Sequence, residues 1–179
     1  YLTEVACRLS ALGHPVTVVS NARESVSVEM LKCQVKVRRV SSVANPLWKS
    51  NHKLLDEIHQ AEPEVIIWHL GLTSFLYQAI PVEFTIPIIG LFSSPIHRPQ
   101  EFAHLGLKNL LRNHRLVRVN LVGSLIPKQL LRTLGLRQNI LSLVVQTQTT
   151  KKMLEKAGIW PKPIQVILPG VDERWLNFN

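Results

Sequence analysis

Three polar clusters follow apolar runs in this chain, and each carries side chains able to do chemistry. His69 closes the run Val65-Ile66-Ile67-Trp68. Ser93, Ser94, His97 and Arg98 follow Pro87–Phe92. Gln146, Thr147 and Thr149 follow Leu141–Val145. A neutral imidazole carries one donor and one acceptor, and a hydroxyl can act as either, so His69 with Ser93, Ser94 and Thr147 suits a hydroxyl-rich ligand. A guanidinium such as Arg98 can pair with phosphate or carboxylate. Each cluster also has a plainer reading: His69 as a strand-end cap, Arg98 as a solvated loop residue, and Thr149 as the N-cap of the next helix. Lys151 and Lys152 then stand in that helix's first turn, where the dipole disfavours cations; an anion held at the helix start would relieve the conflict.

These residues need a scaffold that brings strand ends together. The runs Val16–Ser20, Val65–His69, Pro87–Phe92, Leu141–Gln146 and Ile164–Leu168 read as strands, nearly continuous in apolar residues and thus buried on both faces. Val35–Val40 alternates with Lys36 and Arg38, which predicts a strand nearer the sheet edge. Between the strands lie helical patterns. Leu2, Val5, Ala6, Leu9 and Leu12 form an i, i+3, i+4 stripe that Gly13 stops. Leu47–Ala61 ends at Glu62-Pro63. A short helix runs from Gly71 to about Ala79, and longer ones cover Glu101–Arg115, Asn120–Leu134 (kinked or split at Pro127) and Thr149–Ala157. Alternating strands and helices predict an α/β, Rossmann-like, doubly wound and mainly parallel sheet of about six strands in three layers. Parallel strands put His69, Ser93 and Thr147 on one carboxyl rim, the edge where such sheets bind ligands.

The chain has 179 residues, 46% of them hydrophobic, and a net charge of +9. That length suits one folded domain. From Phe102 to Leu154 there are nine Lys and Arg and no Asp or Glu, a surplus equal to the net charge of the whole protein. Within this window Lys108, Arg112, Arg115 and Arg118 alternate with leucines in a basic amphipathic stretch. It fits an anionic membrane surface, and equally a helix packing its leucine face on the sheet. Nucleic acid is disfavoured as a partner, because nothing beyond charge supports it. Cys7 and Cys33 have no metal or redox spacing and read as two reduced thiols of a cytoplasmic protein. No phosphate-binding glycine loop, nucleophile elbow or zinc motif is present, and no metal is expected.

The order of phrases resembles the N-terminal, acceptor-side domain of family-four retaining glycosyltransferases of the glycosyltransferase-B fold. Leu9–Ser20 matches that family's first helix and second strand. Glu64–His69 matches a strand that ends in histidine near the transferred sugar. Gln146–Phe178 matches the close of the domain, with Pro169-Gly170-Val171-Asp172 in place of its Pro-Asn-Gly-Val-Asp hinge phrase. The Asn is missing here, and Ser93-Ser94 replaces the family's Thr-His. The resemblance implies transfer, with retention, from a nucleotide-sugar donor to an acceptor bound on this domain, with lipid-linked or membrane-surface acceptors as candidates. The sugar-contact set would be His69, Ser93, Ser94, His97, Arg98 and Thr147, with Gly170, Val171 and Asp172 as the interdomain hinge.

The resemblance also implies a C-terminal donor-binding domain, whose carboxylate pair and Arg/Lys pair match no positions here. The 179 residues would then be inactive alone, on the cytoplasmic side and peripheral on the inner membrane face. The family's opening strand and Gly-rich loop are likewise absent from this sequence. That strand is normally central, so its two neighbours should be parted by about twice the ~4.8 Å strand spacing. The alternative is a non-enzymatic Rossmann-like module for an anionic partner, nucleic acid or a phosphorylated ligand.

Overall fold

The computed structural model describes residues 2–22, 27–31, 33–41, 52–71, 85–93, 121, 123–136 and 140–168. It divides into two compact units, residues 1–64 with 77–81 and residues 65–76 with 82–179. The class is mixed α/β and Rossmann-like, with mainly parallel strand pairing.

In the first unit, helix α1 (Leu2–Ala11) turns Ala6 inward. Gly13, at φ +91°, terminates it as its position predicts, and its N–H donates to the Ser10 carbonyl. Strands β1 (Thr17–Ala22), β2 (Ser27–Met30) and β3 (Lys36–Ser41) form one sheet in the order β1-β3-β2. β1 runs parallel to β3, and β2 antiparallel to it. Two expectations change here. β2 has no counterpart in the sequence reading, and β3 is the central strand, not one near the edge. One of the alternating cations of β3, Arg38, has a different cause. Helix α2 (His52–Ala61) packs on β1 and β3 through buried Leu54 and Ile58. Its Glu57, also buried, pairs with Arg38 of β3, which further donates to Gln60 Oε1 at 2.6 Å. Arg38 is therefore a charge with partners beneath a helix. Glu62, at φ +44°, and Pro63 end α2.

The two cysteines are bonded to each other. The Cys7–Cys33 disulfide joins α1 to the turn before β3, with Cα atoms 5.3 Å apart. This overturns the expectation of free thiols. A tight turn brings Cys33 to the helix: Gln34, at φ +62°, donates its N–H to the Leu31 carbonyl, and Leu31 N–H in turn bonds Val35 O. Ser10 Oγ, one turn beyond Cys7, donates to Cys33 O at 2.9 Å. Spacing along the chain carries no trace of such a turn.

The second unit holds four parallel strands in sequential order: β4 (Ile66–Leu70), β5 (Ile88–Phe92), β6 (Ile140–Val145) and β7 (Ile164–Val166). Cross-strand rows set the core. Leu70, Phe92, Val145 and Val166 share one row; Trp68, Gly90, Leu143 and Ile164 share the next. Most of these residues are buried, and each large apolar side chain so removed from water contributes about 1.5–3 kcal/mol. Gly90 is small by necessity. A Cβ there would lie 2.6 Å from both Leu143 Cδ2 and Leu70 Cδ1.

Helix α3 (Lys128–Leu136) starts just past Pro127, whose carbonyl accepts from Leu131 N–H at 3.1 Å, so the expected split at that proline is present. Leu131 is the buried anchor of α3. Helix α4 (Gln148–Ala157) packs on β6 and β7 through Leu154, and Gly158 closes it at φ +62°. Beyond it, Lys162 Nζ donates to Ile140 O at 2.7 Å and lies 5.8 Å from the centroid of the buried Trp160 ring.

Among the described residues the strands form two separate sheets, with β1 at one end of the first and β4 at one end of the second. The helices expected at about Gly71–Ala79 and Glu101–Arg115 lie outside the described residues, apart from Gly71.

Candidate active site

Parallel pairing of β4, β5 and β6 puts their carboxyl ends on one rim. His69 is the penultimate residue of β4 and sits in a row with Leu91, Val144 and Gln165. Alternation along the strand sends Leu70 into the core and leaves the His69 side chain exposed. The ladder continues one step past β5: Ser93 N–H donates to the Leu70 carbonyl at 3.2 Å. Residues 91 and 93 therefore share a face with residue 69. The result is direct contact, with Ser93 Oγ 2.6 Å from His69 Nε2.

Thr147, two residues beyond β6, is on the same rim but differently engaged. It is the N-cap of α4 at φ −140° and ψ 149°; its Oγ1 accepts from Thr150 N–H at 3.0 Å and lies 2.8 Å from Thr150 Oγ1. The cap is therefore Thr147, and Thr149 lies inside the helix, because β6 ends at Val145 and the helix begins sooner than the sequence reading placed it. Lys151, in the unfavourable first turn, lies 3.9 Å from Glu155 Oε1, one turn towards the negative end of the helix. Such an exposed pair is worth well under about 1 kcal/mol, but it gives the Lys151 ammonium a partner that needs no bound anion.

Of the other residues singled out, Ser94, His97, Arg98, Lys108, Arg112, Arg115, Arg118, Gly170, Val171 and Asp172 lie outside the described residues. Among the described residues no group of three or more His, Cys, Asp or Glu could hold a metal ion, and no helix is long and apolar enough to cross a membrane.

Chemically, the rim offers an exposed imidazole whose Nε2 is tied to a hydroxyl and, two strands along, a capped helix start. This equips it to hydrogen-bond a polyhydroxylated ligand. The model of Glycosyltransferase Family 4 matches residues 1–175, nearly the whole chain. No curated protein and no solved structure matches it significantly.

Proposed function

Because this chain belongs to glycosyltransferase family 4, we propose that it is the acceptor-side half of a retaining transferase that uses a nucleotide-sugar donor. The observation that carries the reading is the His69–Ser93 pair at the carboxyl rim of a parallel sheet, where ligands of open α/β folds bind. His69 makes a hydrogen bond to the sugar that strengthens as charge develops in the transition state. In this reading the nucleotide sugar is held by a second Rossmann-like domain, as the family resemblance implies. The experiment is turnover of nucleotide sugars by the 179-residue chain and by a protein that also carries the donor-binding domain. Activity only in the larger protein, with the anomeric configuration kept in the product, is the expected result. Robust turnover by the chain alone, or inversion, would overturn it.

The acceptor is presented at an anionic membrane surface. What supports this is the acid-free window Phe102–Leu154 with its nine cations. Each Lys or Arg near an anionic leaflet adds about 1 kcal/mol, screened by salt. Co-sedimentation with phosphatidylglycerol vesicles at low salt, absent with phosphatidylcholine and lost on changing Lys108, Arg112 and Arg115 to Glu, is expected. Indifference to anionic vesicles at low salt would leave a soluble polyanionic partner as the explanation of the charge. The cytoplasmic face is the proposed location, and there the Cys7–Cys33 bond would meet a reducing environment.

A further inference from the structure

We propose that Ser93 is a positioning residue for His69: it holds the imidazole by Nε2 and leaves Nδ1 as the atom that meets a substrate hydroxyl. The inference rests on the transferase reading given above and adds to it a role for Ser93 and an identity for the contacting nitrogen.

The geometry is built by the backbone. The Leu70–Phe92 register fixes the two strand ends side by side, and the bond from Ser93 N–H to Leu70 O carries the ladder one residue further. Ser93 Oγ reaches Nε2 at 2.6 Å from this position. A neutral imidazole has two nitrogens and its ring flips readily about χ2 when unrestrained. With Nε2 engaged, only one ring orientation keeps the bond, and the opposite edge of the ring carries Nδ1. Both residues are exposed, so that edge is open to ligand. A serine hydroxyl can donate to Nε2 or accept from it, and Nδ1 then donates to the substrate or accepts from it in turn. A sugar hydroxyl satisfies either case, which suits this arrangement to a polyol better than to an anion.

Two measurements test this. Nitrogen NMR of the His69 side chain in the 179-residue chain reads the hydrogen bond at Nε2 directly and needs no turnover. The wild type should show an Nε2 resonance displaced by the Ser93 bond, whichever partner donates, and Ser93→Ala the Nε2 shift of an untethered ring. Ser93→Thr, which keeps the hydroxyl, should restore the wild-type shifts. In the protein carrying the donor-binding domain, Ser93→Ala should lower kcat by about fivefold to tenfold, the worth of one positioned hydrogen bond. KM should change by less than about twofold, because an interaction realised in the transition state is removed, and Ser93→Thr should recover most of the loss. Unchanged nitrogen shifts in Ser93→Ala, or no rescue by Thr, would overturn the positioning role. Altered shifts combined with normal turnover in both His69→Ala and Ser93→Ala would uphold the hold on the ring and overturn the transferase role of His69.

Discussion

Cys7 and Cys33 are joined covalently although they stand 26 positions apart in the sequence, and the bond fastens helix α1 to the turn that feeds the central strand of its sheet. A closed loop of that length lowers the entropy of the unfolded chain by about 3–4 kcal/mol in the chain-entropy model. Thermal unfolding with and without dithiothreitol should show the reduced form clearly less stable, and Cys33→Ser should match it. Equal midpoints would remove the bond from the stability account. Alkylation of intact cells before lysis reports the state in the cell. A cytoplasmic protein should have both thiols blocked, and an oxidised pair would place it in an oxidising compartment.

Gly90→Ala should destabilise the second unit by about 1–3 kcal/mol, the usual cost of overpacking a filled core. The added carbon would meet the Cδ atoms of Leu143 and Leu70, which are fully buried in flanking strands and must change rotamer against filled surroundings to yield. Chemical denaturation measures the loss. Leu143→Val in the same protein should recover part of it, because one of the two close contacts is shortened.

His69→Ala should lower turnover in the protein with both domains by roughly 10²-fold, the scale of one lost transition-state hydrogen bond. Stability should stay within about 0.5 kcal/mol, since the side chain is exposed and leaves no core cavity. Near-normal turnover would reduce His69 to a strand-end residue.

Thr147→Ala should cost about 1 kcal/mol through loss of the cap on α4 and leave acceptor affinity unchanged. A drop in acceptor affinity larger than the loss of stability would instead make the start of α4 part of the ligand site.

How much of this was readable beforehand follows from the reach of each signal. β4, β5 and β6 are apolar runs between clear breaks, and Gly13, Pro63 and Pro127 act on their own neighbours, so these strands stand within one residue of where the pattern put them and the helix breaks fall at the expected residues. Local pattern fails where pairing decides. β2 is a four-residue strand held by its antiparallel register with β3. The alternation in β3 imitates an edge strand because Arg38 finds its partners on α2. The disulfide depends on a turn with Gln34 at positive φ. At the rim, the strand ends were legible, which put His69 and Ser93 on one edge. Their bond was not, because it requires the Leu70–Phe92 register, and register is set by the rest of the sheet. The placement of the cap at Thr147 turned on two residues at a strand end.

The flank of β4 that no described strand pairs has a consequence for how the protein behaves in solution. Among the described strands β4 pairs only with β5, and Val65 and Ile67 along it are exposed. An apolar strand with one unpaired row of amides and carbonyls is a template for another strand, whichever chain supplies it. The first sheet ends in the same way at β1. Concentrated samples of these 179 residues should therefore associate edge to edge, and dilution or a charge on the flank should reverse it. Any assay of the rim must then report protein concentration beside its result, because a dimer joined through β4 would lie one strand away from His69.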